Sequence, residues 1–501
     1  MAFVFTLIYI TFGLLSPAVL PQAIMALHVN VILGVLVILT LIPKIGQAKL
    51  GSVVDSYLVL GLWIATGVSM LATGWISRVP SIFMDMLPIL FVYYFVLISC
   101  ETYKQLRILV YLLLVIAVFI FAQGFIADHT GNIMSPYIEP ETTLTGTIFR
   151  YRGLGVLNDP NDLAQFFATV VPLLWLRWKK GNVLGNFFVT LIPACILIGG
   201  MYFTHSRGGI VGLLAVFLFA FKDKIGVVKS SILAGGLLAA MVALNMSGGR
   251  GLNDDDGGRV AAWITGLQIF KTHPLFGVGI GNFWNYNDTG LTAHNSYVLC
   301  LAELGLFGYF CWIGTIVSNW TDLSVLVRSK GADDSEKKTD RFGALPVAKR
   351  SPPQIKAWGA SQAASIPSLK LSANVGVTPQ LAAAYQGAGV GGSTTWSPAA
   401  IRPGQLAIQD APPDDETLRH AARIFRITFV GMLTTAFFLS RTFSMVFYII
   451  LGMSASLRRI YRISHPDELK AEMGPMVKKI VIVVVASVLF LYVFVRVRGL
   501  H

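Results

Sequence analysis

Charge is scarce in this chain. Only 13% of its 501 residues are charged and only 26 are acidic, against 39 Lys and Arg, while 54% are hydrophobic. A soluble globular domain carries about a quarter charged residues, so this balance excludes an ordinary water-soluble fold. Cysteine is sparse too: Cys100, Cys195, Cys300 and Cys311 lie in or at the ends of apolar runs, where the residue acts as a small hydrophobe. Neither a disulfide framework nor a metal-binding cysteine spacing follows from them. A nucleotide signature is also missing. The glycines of "GVGIGNF" (277–283) follow no strand and open no clear helix, so they make neither a dinucleotide fingerprint nor a phosphate loop. No solenoid-type repeat and no inverted repeat of broken spans is found.

What fills the chain instead is apolar runs of about 17 to 22 residues, the length that crosses a bilayer core of roughly 30 Å. They fall near 2–20, 24–43, 57–75, 81–99, 106–127, 161–177, 185–204, 208–222, 226–244, 295–318, 424–452 and 479–496. The first lacks a basic leader and a small-residue cleavage site, so it reads as a retained span. The run 424–452 is either one tilted helix or a hairpin folded at "SRT" (440–442), so we expect an all-α polytopic membrane protein of twelve or thirteen transmembrane helices. Basic short loops at 43–49, 101–107, 177–182 and 222–224 share one side if the N-terminus is cytoplasmic, and "RRIYR" (458–462) joins them if 424–452 is a hairpin. The net charge of +13 is therefore topology, with no sign of a nucleic-acid partner.

This topology divides the chain into N-terminal transmembrane helices (1–127), a core region (128–328), an insert (329–421) and C-terminal transmembrane helices (422–501). The core holds two long outward loops, 128–160 and 245–294. The insert, rich in Gly, Ala, Ser and Pro, cannot bury enough apolar surface to offset its ordering entropy and is expected to be a disordered cytoplasmic segment.

Basic residues are disfavoured in outer turns, yet Arg152, Arg207, Arg250 and Arg259 all map there. A guanidinium is permanently charged and its planar fork matches phosphate oxygens, so several converging would clamp a phosphate or diphosphate. The alternative is pairing with nearby acids, Glu139, Glu141 and "NDDD" (253–256), or with lipid headgroups. In "YRGLGVLNDPNDLAQFF" (151–167), Asp159 reads as an N-cap, Pro160 as the first helical residue and Asp162 as an acid welcomed by the helix dipole. "YFTHSRGGIVGL" (202–213) leaves almost no room between two spans, which holds Arg207 at the membrane surface, with Gly208 and Gly209 making the turn and His205 interfacial. In "GRVAAWITGLQIFKTHPLFGVGIGNF" (258–283), Val260, Trp263, Ile264, Leu267 and Phe270 recur at helical spacing, as in a helix lying in the interface, and His273 before Pro274 reads as structural.

"LTAHNSYVLCLAELGLFGYF" (291–310) sets His294 immediately before a span, where imidazole stays hydrated and suits a general base for a sugar hydroxyl. Asn295 or Ser296 can cap the helix. Glu303 lies roughly 14 Å deeper and about 180° around a continuous helix, so it is no direct partner of His294. An acid at that depth is either functional or held in a buried interhelical hydrogen bond. Gly305 and Gly308 allow close packing of a neighbour.

In order along the chain, "YRGLGVLNDPNDLA", "THSRGGIVG", "GRVAAW" with "HPLFGVGIGNF", and "AHNSYVLCLAELGLFGYF" resemble the O-antigen ligase and polymerase superfamily of bacterial envelope proteins, from about residue 150 to 312, with a looser likeness at "FFLSRTFSMVFYIILGMSASL" (437–457). The resemblance implies an α-helical, metal-independent glycosyltransferase of the bacterial inner membrane. It would need no cofactor and would face the periplasm, with a polyprenyl-diphosphate-linked glycan, carried on undecaprenyl diphosphate, as donor. The acceptor would be lipid A-core, a protein or a growing glycan. Carried over by motif, Arg207 and Arg259 would bind the diphosphate and His294 would serve the acceptor hydroxyl. Arg152 would contact the donor, with Asn295 and Glu303 as further substrate contacts. In-line attack would invert the anomeric centre. The insert 329–421 departs from the family's compact pattern. A repeat-unit polymerase is the near alternative. A transporter is the distant one, disfavoured because transporters set their charges near the midplane.

Overall fold

The computed structural model describes residues 1–15, 29–48, 54–143, 146–179, 181–243, 256–287, 292–328, 413–465 and 473–498. Arg250, Asn253, Asp254, Asp255 and nearly all of the insert lie outside them. The chain divides into two units, Met1–Gly331 with Pro412–His501, and Ala332–Ala411; only the first is described below.

The helices run in the order α1 (Ala2–Leu15), α2 (Val29–Ala48), α3 (Val54–Ala72), α4 (Val79–Ser99), α5 (Tyr103–His129), α6 (Pro160–Leu173), α7 (Val183–Thr204), α8 (Arg207–Ile225), α9 (Val227–Ala243), α10 (Asp256–Thr272), α11 (Ser296–Arg328), α12 (Asp415–Ala436), α13 (Met445–Ser464) and α14 (Met473–Arg498). Seven helices among the described residues are long and apolar enough to cross a membrane, against the twelve or thirteen spans expected. Several expected spans end early or carry charge. The run at 161–177 leaves the α-helix near Pro172 and continues as a 3-10 turn, Leu174–Arg177. The run at 208–222 lies in α8, which carries Arg207, Lys222 and Lys224. The run at 424–452 is the hairpin of the two alternatives: α12 stops at Ala436, α13 starts at Met445, and "SRT" lies in the connection.

The all-α expectation has one exception. Within 128–160 a two-stranded antiparallel hairpin forms, β1 (Ile138–Thr143) with β2 (Gly146–Tyr151), in a register that sets Glu139 opposite Arg150. The cross-strand pairing of opposite charges favours that register.

Two helices form the centre. Every residue of α6 from Asp162 to Leu173 is buried, against α7, α8 and α12. Helix α11 is enclosed by α3, α10, α12, α13 and α14. At Gly305 (φ 62°, ψ −163°) α11 breaks, and the glycine-rich turn after α10 is sewn into the break. Val278 and Gly279 donate to the carbonyls of Ala302 and Glu303 at 3.1 and 3.0 Å, while Leu306 and Phe307 donate to those of Pro274 and Leu275 at 2.8 and 3.0 Å. Backbone groups freed inside a membrane must find such partners. Contact is so close that a Cβ on Gly277 would lie 2.3 Å from the Glu303 carbonyl carbon, and one on Gly305 2.4 Å from that of Leu275.

Further along α11, Asn319 Nδ2 donates to Asp55 Oδ2 of α3 at 2.8 Å, and Asn319 Oδ1 accepts from Ser454 of α13. Asp322, one turn on, is ion-paired with Arg458 of α13. Asp55, Asp322 and Arg458 are all buried, so three helices are locked by a charged network.

The seam explains Glu303, which is 6% exposed. Its carboxylate Oε1 accepts the backbone N–H groups of Gly281 at 3.0 Å and Phe283 at 3.4 Å. The structural alternative for this acid is thus the one the geometry supplies, with loop backbone in place of a neighbouring side chain as partner. Glu303→Gln keeps the acceptor and is expected to leave thermal stability and activity near wild type. Glu303→Leu strands two N–H groups and should cost about 1–3 kcal/mol. Melting temperatures of the two variants in detergent test this, and a transfer defect in a fully stable Glu303→Gln protein would instead give the carboxylate a part in the chemistry.

Candidate active site

Four segments meet at the end of the bundle where α8 and α11 begin. The first is the α7–α8 turn. His205 ends α7 in the left-handed region (φ 48°, ψ 32°), and Ser206 caps α8 by accepting the Gly209 N–H at 3.2 Å. Arg207 is therefore the first residue of α8, half-buried. The two glycines after it lie in close contact: a Cβ on Gly209 would lie 2.6 Å from Ala164 Cβ, which nothing could accommodate without a shift, and one on Gly208 3.0 Å from Phe438 Cβ, a tight approach.

The second segment is the start of α6. Asp159 accepts the Asn161 N–H at 2.7 Å and is the N-cap its sequence predicts. Asn161 Oδ1 accepts from Ser206 Oγ at 2.7 Å and from Arg150 Nη2 at 3.2 Å, which ties α6 to the α7–α8 turn and to the hairpin. Arg150 is buried; it also donates to the Thr204 carbonyl at 2.9 Å and to Glu141 Oε2 at 2.7 Å. Sequence reading singled out Arg152 and passed over Arg150, the arginine that holds these elements together. Arg152 donates to the Pro136 carbonyl at 3.1 Å and lies 3.9 Å from Glu139, so it is engaged on the hairpin side. Burial and the nearby Asp159 push the Glu139 carboxyl above its usual range, against the pull of Arg152 and Arg150.

The third segment opens α11. His294 is half-buried with φ 44°, and His294 and His205 are the two non-glycine positive-φ residues among those described. Asn295 is the helix cap: its Oδ1 accepts from Tyr297 N at 2.9 Å and Val298 N at 3.1 Å. The side chain is fully buried, and among the described residues its Nδ2 donor has no partner. Arg259 is half-buried near the start of α10. One turn on, Trp263 donates its ring N–H to the Ala293 carbonyl at 2.6 Å, fastening α10 to the residue before His294.

The fourth segment, the α12–α13 connection, was not foreseen as part of a site. Ser296 Oγ donates to the Leu439 carbonyl at 2.6 Å and accepts the Arg441 N–H at 2.9 Å, while Thr442 Oγ1 donates to the Ser296 carbonyl at 3.0 Å. The Arg441 side chain is ion-paired with Asp162, its Nε donating to Oδ1 at 2.6 Å. Asp162, explained from sequence by the helix dipole, is a buried counter-ion. A signal did exist: a hairpin at 440–442 puts an arginine in an outer turn, the anomaly that marked the other four.

A cavity of about 1040 Å³ opens between α8, α10, α11, α12 and α14. Its walls include Val211, one turn past Arg207; Arg259 and Trp263; Tyr297, three residues past His294; and Phe437 and Phe438. The structure thus gathers the elements bearing Arg207, Arg259, His294 and Asn295 around one apolar groove. Arg152 and Glu303 are tied elsewhere, and Arg250 lies outside the described residues. Among the described residues no group of three or more His, Cys, Asp or Glu side chains is placed to hold a metal ion.

No curated protein and no solved structure matches the chain. A family model described as O-antigen ligase matches residues 192–313, from α7 into α11. That stretch carries Arg207, Arg259, His294 and Glu303 but neither Arg152 nor Arg441, and the match makes this part of the chain similar to the O-antigen ligase family.

Proposed function

We propose that the protein transfers a glycan from a polyprenyl-diphosphate carrier to an acceptor hydroxyl at the periplasmic face of a bacterial inner membrane, as an O-antigen ligase acting on lipid A-core or a related acceptor. The observation that carries this reading is the shared groove: the motifs bearing Arg207, Arg259 and His294 with Asn295 all supply walls of a single apolar cavity that has Arg259 in its lining. An isoprenoid chain is the ligand such walls suit, and a diphosphate at its head is the group that arginine suits.

In this reading Arg207 and Arg259 neutralise the diphosphate, which makes it a good leaving group without a proton. Fixed charges in a site partly closed to water act strongly because they need no reorganisation during the reaction. His294 accepts the proton of the acceptor hydroxyl as its oxygen bonds to the anomeric carbon. The bond from that carbon to the diphosphate oxygen breaks on the opposite face, and the configuration inverts. Asn295 offers its Nδ2 donor to a sugar or phosphate oxygen.

Envelope glycolipids from cells lacking the protein, complemented with wild type or Arg207→Ala and resolved on a gel beside the polyprenyl-linked pool, test the proposal. Long glycans stranded on the carrier with bare acceptor are expected in the null and Arg207→Ala strains. Acceptors bearing single repeats would make the enzyme a polymerase, and an unchanged pattern would overturn glycan transfer altogether.

A further inference from the structure

We infer that Arg441 is a further donor-binding residue, one that lends its guanidinium to the diphosphate beside Arg207 and Arg259; this rests on the glycan-transfer reading of the site. Its position comes first. The α12–α13 connection touches every other part of the site. Phe438 abuts Gly208, the neighbour of Arg207. The Phe437 ring lies 5.8 Å from that of Trp263 and 6.1 Å from that of Tyr297. Ser440 shares a 2.8 Å hydrogen bond with Thr292, and Arg441 N–H is bound to Ser296. The backbone of Arg441 is therefore fixed to the two sides of His294.

The side chain is aimed as well. A guanidinium has five N–H donors, and Asp162 takes one from Nε and one from Nη2. Among the described residues no other hydrogen bond to the group is formed, so Nη1 and one Nη2 donor remain for a ligand. Had Arg441 served only to neutralise Asp162, burial of both partners would be expected. Instead the Asp162 side chain is 4% exposed and that of Arg441 40%. The carboxylate is a buried anchor that orients a cation whose far edge is open. A fork so held presents its remaining donors with little entropy left to lose, which is what a diphosphate oxygen pair requires.

The test uses the purified full-length protein in nanodiscs and two probes, undecaprenyl diphosphate and undecaprenol, which share the chain and differ in the head. Wild type is expected to prefer the diphosphate. Arg441→Gln should reduce that preference about 10- to 100-fold, as expected for loss of charge-assisted hydrogen bonds. Arg441→Lys keeps the charge without the fork and should fall in between. Asp162→Asn, which keeps Arg441 but slackens its anchor, should also reduce the preference. A misfolded variant loses both probes together and so cannot imitate this result; Arg441→Lys then carries the test. An undiminished preference in folded Arg441→Gln or Arg441→Lys overturns the role of Arg441 while leaving the site's function standing. A wild type that binds both probes equally, or neither, overturns the functional reading and this inference with it.

Discussion

His294→Asn is expected to slow glycan transfer by about 10²- to 10⁴-fold, the usual contribution of a positioned general base, while donor binding and melting temperature stay near wild type. Asparagine is the informative replacement because of the backbone. His294 sits at φ 44°, in the left-handed region that histidine and asparagine tolerate better than most residues. Alanine there would add a conformational cost of about 1–2 kcal/mol and confuse lost chemistry with lost order at the start of α11. Asparagine keeps the turn and a hydrogen-bonding group but cannot take up a proton at working pH. Single-turnover transfer from a preloaded polyprenyl-linked glycan isolates the step. A wild-type rate in folded His294→Asn protein would remove the histidine from the mechanism.

The largest effect on stability is expected from Arg458→Leu. Arg458 is the buried cation facing two buried carboxylates: Asp322 is ion-paired with it, and Asp55, held by Asn319, feels its charge. Removing one partner of a buried pair typically costs about 3–5 kcal/mol, because the remaining charge is left without compensation. Leucine fills space but leaves both carboxylates inside the bundle. Folded yield and melting temperature in detergent should both fall, and Asp322→Asn in the same chain should restore part of the loss by removing the uncompensated charge. An Arg458→Leu protein that melts with wild type would show that water reaches the network and that it contributes little.

Local features of this chain were legible because they depend on neighbours in sequence. The Asp159 cap, the tight Arg207 turn and the Asn295 cap each need only a few residues, and those residues were in view. The apolar runs announced the helices for the same reason. Asp162 misled because its local explanation was sufficient: an acid in a first turn needs no further partner, yet its guanidinium lies 279 residues away. Glu303 could not be resolved because its partners are backbone N–H groups, which every residue but proline has and which no side-chain pattern reveals. The break at Gly305 was equally hidden. Its glycine was read as a small surface for a neighbour, whereas it takes a dihedral that lets a loop pair with the interrupted helix. The pairing of Arg150 with Thr204 and Asn161 likewise depends on tertiary contact.

The stitching of Ser296 to Leu439, Arg441 and Thr442 has a consequence for biogenesis. Asp162 and Ser296 leave the ribosome long before the residues that satisfy them, with partners 279 and 143 positions later in the chain. Until the α12–α13 hairpin is made, the Asp162 carboxylate of α6 lacks the Arg441 guanidinium and the start of α11 lacks its bonds to residues 439–442. The hairpin is thus the keystone of the site, made late and tying together what was made early. Residues 192–313, the stretch the family model matches, contain no part of it. That stretch produced alone would carry Arg207, Arg259 and His294 without the connection that holds them together, so the site belongs to the chain on both sides of its long insert.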